Sequence, residues 1–233
     1  MANVFVNGKA LSDFGCLPTD AAVYTAPNPL FDKVEIDGRN GDLIIERNKY
    51  SNIQIEYPCV ILDNFAGNYT TLRSWLLSLK GYVRIEDTFF PDRFRLGRFT
   101  GEITPDIFNG HQSKIFSVKF WCKPQWYLKD GEHPIETTNT VDVYNPTYQN
   151  ALPLIRVYGS GTFTVGAQTI TVASGATAYI DIDSEIRDCY EGDTNRNSLV
   201  TMPQGFPELE PGATTISITG LTKAEITPRW WAL

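Results

Sequence analysis

Only one stretch of this 233-residue chain carries a helical hydrophobic period. Leu72, Trp75, Leu76 and Leu79 fall at i, i+3, i+4 and i+7, one stripe of a helix. Asn68 or Thr70 can cap its start, Lys80 falls in its last turn and Gly81 can close it, so the spacing predicts a helix over about 70–80. Elsewhere apolar residues come in short runs, many of them alternating, broken by Gly, Pro, Asn and Asp. Such a chain buries most of its apolar surface on sheets, and its single helix covers one face or mouth of a sheet. An aromatic content of 12% suits that β-rich reading, since rings pack well on a pleated surface.

In the first half, Val4-Phe5-Val6 runs into an Asn7-Gly8 turn. Phe31 to Ile36 and Leu43-Ile44-Ile45 flank Asp37-Gly38-Arg39-Asn40-Gly41-Asp42, the strongest turn signal in the chain. Residues 31–47 therefore read as a β-hairpin with a long polar tip. That tip is either an ordinary hairpin loop or a projecting arm that reaches a neighbouring subunit. Ile53 to Leu62 reads as a strand with an edge or bend at Pro58, and Tyr82 to Glu86, Arg93 to Glu102 and Lys114 to Cys122 as further strands. Gly97 and Gly101 suggest a bulge or bend in the second of these.

From Lys123 to Val157 the composition shifts, with a polar, Thr- and Asn-rich stretch between Trp126 and Asn145-Pro146 that reads as a linker. The expected division is a β-barrel or sandwich with one α-helix over 1–135, and an all-β sandwich over 136–233. The second part reads as short strands without a helix, with a polar loop from Asp188 to Ser198.

Composition narrows the chemistry. The net charge of −7 leaves little support for direct nucleic-acid binding. Arg93, Arg95 and Arg98 are interrupted by Phe and Leu and read as a solvated strand face. Cys16, Cys59, Cys122 and Cys189 have no Cys-x-x-Cys spacing, and the opening MANVFVNGKA lacks a basic-plus-apolar leader, so free thiols are expected. His111 and His133 sit in loop-like surroundings without a nucleophile or metal partner at useful spacing. Asp181, Asp183, Glu185, Asp188, Glu191 and Asp193 form an acidic series that does not fit a calcium loop and reads as a solvated strand face. No pair of carboxylates is marked for glycoside hydrolysis, so no catalytic residue, metal site or cofactor is assigned and the chain is not read as an enzyme. Trp230 and Trp231, adjacent on a strand, point to opposite faces, one to the core and one to the surface.

The order Cys122-Lys123-Pro124-Gln125-Trp126, Asn145-Pro146, Ala151-Leu152-Pro153-Leu154-Ile155-Arg156-Val157 and Gly159-Ser160-Gly161 continues into Thr169-Ile170-Thr171-Val172 and Ile180-Asp181-Ile182-Asp183. Phe206-Pro207 and Leu209-Glu210-Pro211-Gly212 follow. This pattern resembles the distal tail protein family of long, non-contractile-tailed bacteriophages, over nearly the whole chain. The resemblance implies a ring-forming N-terminal β domain, a galectin-like C-terminal sandwich and a homo-hexamer at the virion tail tip, made in the host bacterial cytoplasm. It implies partners in the tail tube protein, the tail-associated fibre or lysin protein and receptor-binding proteins. DNA would only pass through the lumen, where an acidic wall would repel it, and no membrane insertion is implied. The contact loop expected for the ring is Asp37, Gly38, Arg39, Asn40, Gly41 and Asp42. The alternative is a carbohydrate-binding β-sandwich module for host cell-wall polysaccharide.

Overall fold

The computed structural model describes residues 2–103, 105, 114–175 and 178–233, so His111 lies outside the described residues. The fold is mainly β and falls into two compact units, Met1–Trp126 and Tyr127–Ala232.

The first unit contains strands β1 (Val4–Val6), β2 (Lys9–Ala10), β3 (Cys16–Pro18), β4 (Pro29–Val34), β5 (Leu43–Tyr50), β6 (Ile53–Ile61), β7 (Val83–Asp87), β8 (Arg93–Phe99) and most of β9 (Lys114–Leu128). One sheet runs in the order β2-β1-β7-β8-β9-β6-β3. Alternation decides its inner face. Ile53, Ile55, Tyr57, Cys59 and Ile61 of β6 are buried, as are Phe116, Val118, Phe120 and Cys122 of β9. Pro58 is tolerated because its carbonyl faces β3, where it accepts from the Thr19 N–H at 2.9 Å; its missing N–H therefore costs the β9 ladder nothing. Gly97 does not make a bulge. Its pairing with Val83 is regular, and a Cβ there would lie 2.4 Å from Ile85 and 2.7 Å from Cys122, so it is a close approach.

Helix α1 (Phe65–Ser78) covers this core with Leu72 and Leu76, and Trp75 and Leu79 pack at its border. The helix starts five residues before the expected position. Phe65 and Tyr69 extend the apolar stripe backwards and stack at 5.3 Å between ring centroids. Thr70 and Thr71 do not cap. Their hydroxyls donate to the carbonyls of Ala66 and Gly67 one turn back. At one end of the unit Asp87 is buried, accepting from Tyr24 and Tyr57 hydroxyls at 2.8 and 2.9 Å and from the backbone N–H of Phe89 and Phe90. Burial and the Asp87 charge hold the Tyr57 phenol well above its usual range. Arg95 is not solvated. It is 5% exposed, with its guanidinium 4.3 Å from the Trp126 ring centre, while Arg98 is exposed.

The second unit continues with β10 (Ile135–Thr137), β11 (Thr140–Asn145), β12 (Leu154–Tyr158), β13 (Gly161–Val165), β14 (Gln168–Val172) and β15 (Ile180–Asp183). After these come β16 (Asp188–Glu191), β17 (Thr194–Asn195), β18 (Val200–Thr201), β19 (Gly212–Thr219), β20 (Lys223–Thr227) and β21 (Trp231–Ala232). Sheets in the orders β10-β20-β12-β15-β16-β17 and β11-β19-β13-β14-β18 enclose a core that includes Ile155, Val157, Phe163, Ile170, Ile180, Ile182, Ile216, Ile226 and Trp230. The stretch expected to be a polar linker holds β10 and β11 and a 3-10 turn, Lys129–Glu132. The expected polar loop 188–198 instead contains β16, β17 and a second 3-10 turn, Asn197–Leu199. Asp188 makes this possible, because its Oδ1 accepts from Asn195 and Asn197 side chains at 2.9 and 2.7 Å and from the Cys189 N–H at 3.0 Å.

Candidate functional site

Strands β4 and β5 form a two-stranded sheet of their own. Facing residues in the register share a side, so Val34, Leu43, Asp32 and Ile45 lie on one face and Phe31, Ile44, Lys33 and Glu46 on the other. Apolar residues therefore occupy both faces. Leu30, Phe31, Val34, Ile36, Leu43, Ile44 and Ile45 are 36–49% exposed. An isolated two-stranded hairpin is marginal in water, and an exposed apolar edge invites pairing with another chain. The arm has one internal brace. The Asp32 carboxylate takes both Oδ atoms to the Arg47 guanidinium, with Nε to Oδ2 at 2.8 Å. Hydrogen bonding from Arg47 holds the Asp32 carboxyl below its usual range. Near the base, Phe31 pairs Glu46 but Leu30 pairs Lys49, so Arg47 and Asn48 bulge out, with Asn48 at φ 51°.

The tip holds Asp37, Gly38, Arg39, Asn40, Gly41 and Asp42, all exposed. Gly38 and Gly41 take φ of 78° and 83°, and the Arg39 N–H donates to the Ile36 carbonyl at 3.1 Å. The sequence marked this tip by its turn residues. It also marked the strands behind it as a hairpin, but not their exposure, for which the unbroken Leu43-Ile44-Ile45 run was the available signal.

The acidic series is not one solvated face: Glu185 and Asp193 are exposed, but its first two members are not. Asp181 and Asp183 are 3% and 4% exposed. Asp181 receives Arg156 Nε and Nη2 at 2.7 and 2.8 Å, and Arg156 lies 4.0 Å over the Tyr179 ring. Asp183 receives Arg229 Nη1 and Nη2 at 2.7 and 2.9 Å and the N–H groups of Glu185 and Ile186. Burial pushes the Asp183 carboxyl up, but the Arg229 bonds and charge outweigh it and hold it below its usual range. These carboxylates are committed to structure. Among the described residues no group of three His, Cys, Asp or Glu is placed to hold a metal ion. His133 is exposed, and Asn68 lies inside α1 with its amide on the Asp63 carbonyl at 3.0 Å. Cys16, Cys59, Cys122 and Cys189 are buried free thiols, and burial pushes Cys122 and Cys189 up to about 12. Trp230 is 3% exposed, while Trp231 is half-buried and donates from Nε1 to the Asn150 carbonyl at 3.0 Å. Among the described residues no helix is long and apolar enough to cross a membrane.

No family model matches the sequence, and no curated protein matches it. The fold is that of hub and baseplate proteins of phage tails. The chain superposes with the Dit protein of phage SPP1, described as a paradigm of the hub adsorption apparatus in phages infecting Gram-positive bacteria. The TM-score is 0.78, at 16% identity and with 100% of both chains covered. It also matches chains of the phage p2 baseplate in its activated conformation, with Sr at a TM-score of 0.54 and with Ca at 0.51. Each of these is 12% identical, with 97% of both chains covered. At such identities the likeness is one of fold.

Proposed function

We propose that this chain is a structural hub protein of a long, non-contractile phage tail, of the distal-tail type. Six copies close into a ring at the tail tip, joining the tail tube to the fibre or lysin protein and to receptor-binding components, with DNA passing through the lumen. The first unit builds the ring and the second is a peripheral, galectin-like sandwich. The observation that carries this reading is the β4–β5 arm. Seven large apolar side chains on a ribbon with two open faces are a surface for another subunit, because a monomer leaves them in water. Closed symmetry makes such a contact heterologous: the arm of one copy meets a different patch on the next. The full-length likeness to a tail hub supports the same reading.

The test is particle mass by light scattering with negative-stain imaging, on the chain alone and mixed with its tail tube and fibre proteins. The expected result is a six-fold ring in at least one mixture. A chain that stays monomeric in all of them overturns the proposal.

A further inference from the structure

Independently of the ring, the second unit carries a cleft of about 720 Å³. Its walls come from the β13–β14 turn, the start of β19 and the segment 204–210, and include Gln168, Gln204, Phe206, Glu208, Glu210 and Thr215. Two of these groups are held in place. Gln168 donates its amide to the Gly205 carbonyl, and the Asn150 amide donates to Glu208 Oε2 at 2.9 Å. Phe206 packs against the sandwich core as well as lining the cleft. No lysine or arginine is in the lining.

The same chemistry continues out of the cleft. Because Phe163, Val165, Ile170, Val172, Ile216 and Ile218 point into the core, the alternate residues of β13, β14 and β19 face out. The register aligns them in two rungs. Thr201, Thr171, Thr162 and Thr219 form one, and Thr169, Thr164, Ser217 and Thr140 the other. Neighbouring strands in a rung are about 4.8 Å apart, close enough for side-chain hydroxyls to reach one another. Thr164 and Ser217 hydroxyls are bonded at 2.7 Å, and Thr215 donates to Asp142 Oδ1 at 2.6 Å between these rungs and the cleft.

We propose that the cleft and the hydroxyl rungs bind a neutral saccharide chain. Each sugar hydroxyl is both donor and acceptor, and it finds carboxylates and amide oxygens to donate to and amide N–H and hydroxyl groups to accept from. Phe206 offers an apolar surface for a pyranose C–H face. Glu208 and Glu210 put two carboxylates and no cation in the lining of the cleft itself, which disfavours phosphate- or carboxylate-bearing polymers there; Arg187 lies in the adjoining hollow that shares Gln204, Phe206 and Glu208. Two carboxylates are too few to make this a cation site, and an ordinary amine ligand would not explain the uncharged rungs.

The test is saturation-transfer NMR on the full chain with a neutral series, lactose, maltotriose and tri-N-acetylchitotriose, against a heparin disaccharide as the anionic control. The expected result is transfer to at least one neutral sugar at about 10 mM, the range of weak single-site binding, and none to heparin. Phe206→Ala risks the core, so the decisive variant is the double exchange Gln204→Ala and Glu210→Ala, both exposed. It should weaken binding about tenfold or more, with the thermal midpoint unchanged. The proposal is overturned if no neutral sugar receives transfer, if heparin binds as well, or if the double variant binds like the parent. Ring mass, measured separately, reports on the hub reading alone.

Discussion

Two hairpins in this molecule invite comparison, the β4–β5 arm and the β13–β14 pair in the sandwich. Both are antiparallel, and both turn on glycine. In β13–β14 the apolar residues alternate: Phe163, Val165, Ile170 and Val172 are 0–5% exposed, and threonines fill the outer face. In the arm, Leu43, Ile44 and Ile45 are consecutive, so one face can never take them all. Unbroken apolar runs suit strands covered on both sides. The sandwich hairpin finds its cover inside the chain. The arm leaves its apolar side chains on both faces partly in water, and the proposed assembly role rests on that contrast.

The largest effect expected from this contrast is a reversal between stability and assembly. Ile170→Asp places a charge in a fully buried site and should cost more than about 4 kcal/mol, unfolding the second unit in a urea titration. Ile44→Asp on the arm should shift monomer stability by no more than about 0.5 kcal/mol, yet abolish the six-fold particle in light scattering. If Ile44→Asp unfolds the first unit instead, the arm belongs to the core and the contrast fails.

The two carboxylate–arginine pairs repeat the comparison at smaller scale. Asp183–Arg229 is largely buried, whereas Asp32–Arg47 on the arm is about half exposed. Asp183→Asn leaves Arg229 without its main partner and should cost about 2–4 kcal/mol. Asp32→Asn should leave the thermal midpoint where it is, since exposed pairs are screened by water and salt. The Asp183 pair also gives a pH dependence. Its folded pKa is depressed, so its contribution is present above the unfolded value of about 3.9 and is lost as pH falls through the folded value. Circular dichroism melts from pH 7 to 3 should therefore show the parent losing stability below about pH 4 more steeply than Asp183→Asn. Parallel slopes would remove Asp183 from the account.

These pairs also show where sequence reading stopped. The Leu72–Leu76 stripe, the β6 and β9 alternation and the Asn7-Gly8 turn were legible because their periods and turn residues are local. The partners of Asp181 and Asp183 stand 25 and 46 residues away; Arg156 meets Asp181 through the sheet register, and Arg229 reaches Asp183 from the connection after β20. Alternating Ile and Asp therefore read as a half-solvated strand, whereas all four residues of β15 are buried. The helix starts earlier than its sequence predicts for a related reason. Thr70 and Asn68 are good caps in isolation, but Phe65 and Tyr69 pack on the core and carry the helix one turn further back. In the arm the hairpin is legible from its turn residues and apolar flanks, but the exposure of those flanks is not, because it depends on what the rest of the fold leaves uncovered.

The smallest effect expected is at that tip. Gly38 and Gly41 have left-handed backbone and open space where a Cβ would go, so alanine there meets only backbone strain, about 1 kcal/mol each. That strain should loosen the turn without changing the melting of either unit. Arg39→Ala removes one exposed charge, worth little in a solvated rim. Both changes should therefore weaken the ring less than about tenfold, which is about 1.4 kcal/mol. Ile44 and Ile45, on opposite faces of the arm, should each matter more, because burying an aliphatic side chain at an interface is worth about 1.5–3 kcal/mol. Titrating ring dissociation against protein concentration for Arg39→Ala, Ile44→Ala and Ile45→Ala ranks the three. If Arg39→Ala proves the most damaging, the contact lies at the tip. If only one of the two isoleucines matters, the arm is covered on one side, like its counterpart in the sandwich.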